Sequence, residues 1–214
     1  MRIVNYLHQK KWAIVFVIYL RYLIGGAMVF SSLIKIKGGR FTSEDGISAP
    51  INSAWHLFET LYQSGLYWKF LGWSQLITGM LLMTQLFATL GAVALFPIVL
   101  NIFIITISYY FAFTPLITGL LLLASIFLLL WDYQKFSPFF RASSPQINYS
   151  VFANTKIEFN KLWCRLGLVL FLFTVIYVLL FERSPVYWFL TSISAGLVGL
   201  VLYNRQQNNL EKHR

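Results

Sequence analysis

The chain is poor in charge, poorer in acid and almost without sulfur chemistry. Only 11% of its 214 residues are charged, against roughly 25% in soluble domains. That deficit excludes a water-solvated globular surface. A single cysteine, Cys164, excludes an internal disulfide and a CxxC relay, which argues against thiol–disulfide chemistry by this chain alone. Seven acidic residues stand against seventeen basic ones, a net charge of +10. In a soluble protein that excess would suggest nucleic acid. Here the cations lie between apolar runs, where they orient helices and meet anionic lipid head groups, so no nucleic-acid partner is expected. Three histidines and one cysteine are spread too thinly to read as a metal set, and no metal site is expected. No nucleophile–base arrangement stands within the apolar runs, so no catalytic residue is assigned.

What is abundant is hydrocarbon: 58% of the residues are hydrophobic and 18% aromatic. Apolar runs near residues 12–33, 66–83, 89–112, 116–131, 162–181 and 186–203 each have the length of a bilayer crossing. The reading is an all-α polytopic membrane protein with six spans. The first is taken as an uncleaved span, because it is too long for a signal peptide. Between spans 1 and 2 lies a 35–65 loop, in which Trp55, Phe58 and Tyr62 at helical spacing predict an amphipathic helix at the membrane face. Residues 132–161 read as a linker rich in Pro, Ser and Asn, and the NRQQNNLEKHR tail as polar and frayed. With the N-terminus inside, eleven basic residues fall on inner segments and five on outer ones, which favours N-in, C-in. The organisation expected is a four-helix bundle over 1–131, a cytoplasmic linker over 132–161 and a C-terminal hairpin with its tail over 162–214.

Inside this hydrocarbon sits Arg21. A guanidinium there costs at least ~2.5–3.5 kcal/mol and keeps its proton, with a pKa above ~12. At ~1.5 Å per residue, Arg21 lies ~14 Å into span 1, Gln75 ~12 Å into span 2 and Asn101 ~18 Å into span 3. The two amides offer carbonyl oxygens at similar depth, and Tyr19 and Thr78 could add hydroxyls. No acidic residue falls at this depth, so Arg21 is expected to be an uncompensated cation in a neutral polar pocket formed by Arg21, Gln75, Asn101, Tyr19 and Thr78. Such a pocket would receive a quinone oxygen, a lipid head group or a small anion. The bland alternative is that the amides and water satisfy Arg21 and pin the bundle together. On the loop helix, His56 and Glu59 share a face. They could hold a metal or pass a proton, though two ligands do not make a metal site, or simply form a solvated face.

The segment RYLIGGAMVFSSLIK, with Arg21, Gly25, Phe30, Ser32 and Lys35, resembles the opening helix of DoxX-like membrane proteins. The following FLGWSQLITGMLLMTQLFATLG stretch is similar to that family's second and third helices through Gln75, Gly79, Leu81, Leu82, Thr84 and Gln85. Serine stands at position 32 where the family often has glycine, and neutral Gln75 where it often has an acid. The resemblance covers residues 12 to about 131 and implies a four-helix membrane bundle. Some members of that family are subunits of quinone-linked or thiol-stress oxidoreductase complexes. The expectation is therefore an inner-membrane protein acting as a non-catalytic subunit or assembly partner of a quinone-linked redox system, with quinone or lipid as ligand and membrane lipids and oxidoreductase subunits as partners. The alternatives are a small-solute transporter or channel and a chaperone-like binder of membrane proteins.

Overall fold

The computed structural model describes residues 2–42, 45–109, 111–136, 161–180 and 184–212. Within them all regular structure is helical: α1 (Arg2–His8), α2 (Lys11–Ile36), α3 (Ala54–Gln63), α4 (Leu66–Met83), α5 (Ala88–Ser108), α6 (Thr114–Phe136), α7 (Lys161–Leu180) and α8 (Pro185–Lys212). Five of these, α2, α5, α6, α7 and α8, are long and apolar enough to cross a membrane, so the chain is a multi-pass, all-helical membrane protein. The fourth helix, the second crossing expected from the sequence, is outside that group. Its 18 residues include Tyr67, Trp68, Lys69, Trp73 and Gln75, which dilute its apolar character. Most of the expected 132–161 linker and the turn at Glu182 and Arg183 lie outside the described residues. Two features depart from the sequence reading. A short helix, α1, precedes the first span, and the tail expected to fray continues α8 as helix to Lys212.

The first long helix is the hub. About 61% of its most apolar stretch is buried, against 22–28% in the other four spanning helices. Ile14, Val17, Ile18 and Val29 are almost wholly enclosed. α2 packs chiefly on α4, α5 lies between α4 and α6, and α7 packs on α2 and α4 with α8 beside it. The α2–α4 seam is close because small residues face each other. A Cβ on Gly25 would lie 2.9 Å from the Gly79 carbonyl oxygen, and one on Gly79 would lie 2.6 Å from the Gly25 oxygen. In a bilayer, where helices gain little from hydrophobic sorting, such backbone approach supplies the van der Waals contact that associates them. Gly167 of α7 similarly rests on the Met83 carbonyl at the end of α4.

Polar ties fix the hairpin to the hub at both ends. The Tyr22 hydroxyl donates to the Trp163 carbonyl at the start of α7. Lys37, just past α2, donates from Nζ to the Val178 oxygen at 2.7 Å and the Leu179 oxygen at 3.2 Å. Those are among the last carbonyls of α7, which have no partner within their own helix and sit at the negative end of its dipole. Beyond the C-terminal end of α2, α3 caps the molecule. Ser53 Oγ accepts the His56 backbone N–H, a standard N-cap bond. Trp55 and Phe58 then pack edge-on against Phe111 in the α5–α6 connection, at centroid distances of 5.1 and 5.5 Å.

Candidate functional site

The structure gives Arg21 a different set of partners from the one its depth suggested. Nη2 donates to both carboxylate oxygens of Asp132, at 3.0 and 2.8 Å, and Nη1 donates to Gln85 Oε1 at 3.1 Å. Asp132 also accepts from Lys135 Nζ at 2.8 Å. The cluster is shut off from the surroundings: the side chains of Arg21 and Asp132 are 2% and 0% exposed. Arg21 Nε is buried and has no hydrogen-bond partner among the described residues. Three elements converge here: the first half of α2, the α4–α5 turn and the last part of α6.

Local structure explains the convergence. A helical side chain slants toward the N-terminus of its own helix, so the long arginine reaches back from position 21 toward the end where α2 begins. The α4–α5 turn lies at that end, and Gln85 takes a left-handed backbone conformation there, φ 59°. Its amide is pinned in the turn by Nε2 donating to the Leu82 oxygen at 3.0 Å, which leaves Oε1 facing Arg21. On α6, Trp131 precedes Asp132 and stacks on His8 of α1 at 3.9 Å, so α1 covers this end of the bundle. A buried arginine–carboxylate pair of this kind is strong only while both members are present. Removing one strands a charge in a medium that cannot solvate it.

The expected pocket is therefore corrected in its membership. Arg21 is not uncompensated, because Asp132 neutralises it. Gln75 is buried, but its Oε1 accepts from Ser31 Oγ at 3.3 Å rather than from Arg21. Asn101 is exposed on α5 and does not join the cluster. Thr78 is buried on α4. Tyr19 lies across α2 from Arg21 and donates its hydroxyl to the Gly196 carbonyl of α8. Depth counted along helices aligned the backbones but ignored which way each side chain faces. Two members escape the sequence reading: Gln85, which enters it only through the family resemblance, and Asp132, which opens the expected 132–161 linker. A signal for the second was present: between Glu59 and Glu158 it is the sole acidic residue, and it follows a leucine-rich run.

On the loop side, Glu59 is not on a solvated face. It is buried and grips Arg40, with Nε to Oε2 at 2.8 Å and Nη2 to Oε1 at 3.0 Å. Gln63 Nε2 adds a bond of 3.1 Å. The Arg40 hydrogen bonds hold the Glu59 carboxyl below the usual carboxylate range. His56 stands one turn away, half-buried, with Nδ1 unpartnered among the described residues. Among those residues no group of three or more His, Cys, Asp or Glu is placed to hold a metal ion.

Across α2 from Arg21, a cavity of about 350 Å³ opens between α2, α7 and α8. Its walls are almost wholly apolar and include Tyr19 and Tyr22 of α2. No family model, curated relative or solved structure matches this chain.

Proposed function

We propose that this chain is a DoxX-like inner-membrane protein that serves as a non-catalytic subunit or assembly partner of a membrane-bound, quinone-linked redox complex. In this reading it crosses the bilayer six times, α4 being the least apolar crossing, with both ends in the cytoplasm. The excess of basic residues on the inner segments supports that orientation, and the resemblance over residues 12–131 supports the redox setting. The observation that carries the non-catalytic part is the Arg21–Asp132 pair. The intramembrane arginine is bound to the chain's own carboxylate, so it fixes three elements in place and is not held open for a reacting group. Arg21 is then an architectural clamp, and a quinone or lipid would be met elsewhere on the molecule.

The test is gentle extraction of the tagged chain from native membranes, followed by native mass spectrometry. A redox subunit should be retained in fixed ratio. Asp132→Ala should lose that partner, while the paired replacement Arg21→Met with Asp132→Leu, which removes both charges together, should keep it. Recovery of the wild-type chain alone would sink the reading.

A further inference from the structure

We infer that the cavity between α2, α7 and α8 is a binding site for a long hydrocarbon chain of a bilayer amphiphile. The inference rests on the cavity's walls and position and is independent of the redox assignment. Apart from Met83 at the end of α4, its lining residues all fall on α2, α7 and α8, helices long and apolar enough to span a membrane. What reaches its mouth is therefore hydrocarbon.

The polar atoms on the wall are largely spent. The Tyr19 hydroxyl goes to the Gly196 carbonyl, the Tyr22 hydroxyl to the Trp163 carbonyl, and Trp188 Nε1 to Thr174 Oγ1 at 3.0 Å. Thr174 itself donates to the Leu170 carbonyl at 2.8 Å. Ser192 is left as the wall's remaining hydroxyl. A buried water needs two to four polar partners, and apolar cavities of about 150 Å³ stay dry and take up apolar molecules instead. The present cavity is more than twice that volume, and with Ser192 as the wall's remaining hydroxyl it offers a water few partners, while leaving it empty forfeits dispersion contacts along its walls. A hydrocarbon chain restores those contacts without asking for a hydrogen bond.

The shape also suits a chain. Two contacts between α2 and α8 bracket the space. One is the Tyr19–Gly196 bond. The other is Trp188 against Gly26, where a Cβ would come within 2.9 Å of the indole. Positions 19 and 26 on α2 are about 10 Å apart along the axis at ~1.5 Å per residue. Leu20, Leu23, Phe189, Ile193 and Leu197 line the length. Of these, Leu23, Phe189, Ile193 and Leu197 remain 43–58% exposed, which marks the side on which the cavity meets surrounding lipid. Phospholipid acyl chains and isoprenoid quinone tails share this chemistry.

The experiment reconstitutes the full chain in vesicles containing either a diazirine-acyl phosphatidylglycerol or a diazirine-bearing isoprenoid quinone. After photolysis, labelled residues are mapped by mass spectrometry. Label should concentrate on Leu20, Leu23, Ile193 and Leu197 with at least one probe, and the probe that labels identifies the source. Filling the space with Ser192→Trp should cut that label roughly tenfold. Leu179→Trp, on a lipid-exposed part of α7, should leave it unchanged. Ile193→Trp gives the same reading should Ser192→Trp not fold. Label spread evenly over all exposed helix faces, and indifferent to both filling variants, overturns the site.

Discussion

Arg21 and Arg40 each hold a carboxylate by two contacts, yet the two pairs are built for different surroundings. The Arg21–Asp132 pair is 2% and 0% exposed, whereas in the Arg40–Glu59 pair the arginine is 37% and the glutamate 4% exposed. The first joins elements 111 positions apart, and the second joins residues 19 apart within one loop. Burial makes the first pair obligatory, because either partner alone is a charge without solvation. Exposure of Arg40 makes the second adjustable from one side, because water and salt can stand in for a missing Glu59. The same chemistry therefore serves as a clamp across the bundle in one place and as a latch on the cap in the other.

The largest expected effect breaks this comparison at its buried end. Asp132→Ala should destabilise the folded bundle by about 3–5 kcal/mol, read as a lowered unfolding midpoint in detergent. Arg21→Met with Asp132→Leu should recover most of that loss, since apolar replacement of both members is often neutral. If the double variant is as unstable as the single, burial is not what makes the pair obligatory. A smaller effect is expected at Lys37, whose ammonium meets the C-terminal carbonyls of α7. Lys37→Ala should cost about 0.3–1 kcal/mol, with faster amide exchange in the last turn of α7 and little change near Arg21.

At the half-exposed pair, Glu59→Gln should speed exchange and proteolysis across residues 40–63 while leaving the global midpoint almost in place. The smallest effect is one of pH. The folded-state pKa of Glu59 is depressed by Arg40, so the stability it adds is present above its unfolded value of about 4.3. That stability is lost as pH falls through the lower folded value. Proteolysis of the loop followed from pH 7 down to pH 3 should show the cap loosening only at the acid end, and high salt should shift the cap while sparing the buried pair.

How much of this was legible follows the same division. Periodic, self-contained features read well. The apolar runs gave the helices, α3 fell where Trp55, Phe58 and Tyr62 placed it, and Arg21 stood out as a cation needing a buried partner. Its identity did not read, because a partner at the far end of another helix leaves no local pattern. A helix that runs on after its apolar stretch ends is also hard to see, which is why composition points to a frayed tail where α8 continues as helix to Lys212. Arg40 and Glu59 were visible as charges in one loop, but pairing them required the fold of residues 40–59.

The reach of α2 across the chain bears on how the protein is made. Arg21 emerges 111 residues before Asp132, and Tyr19 emerges 177 residues before Gly196. At synthesis rates of about 5–20 residues per second, the arginine waits roughly 6–20 s for its carboxylate. During that interval the nascent hub must be sheltered at the insertion machinery or sit shallow in the bilayer, and it can settle only when α6 arrives.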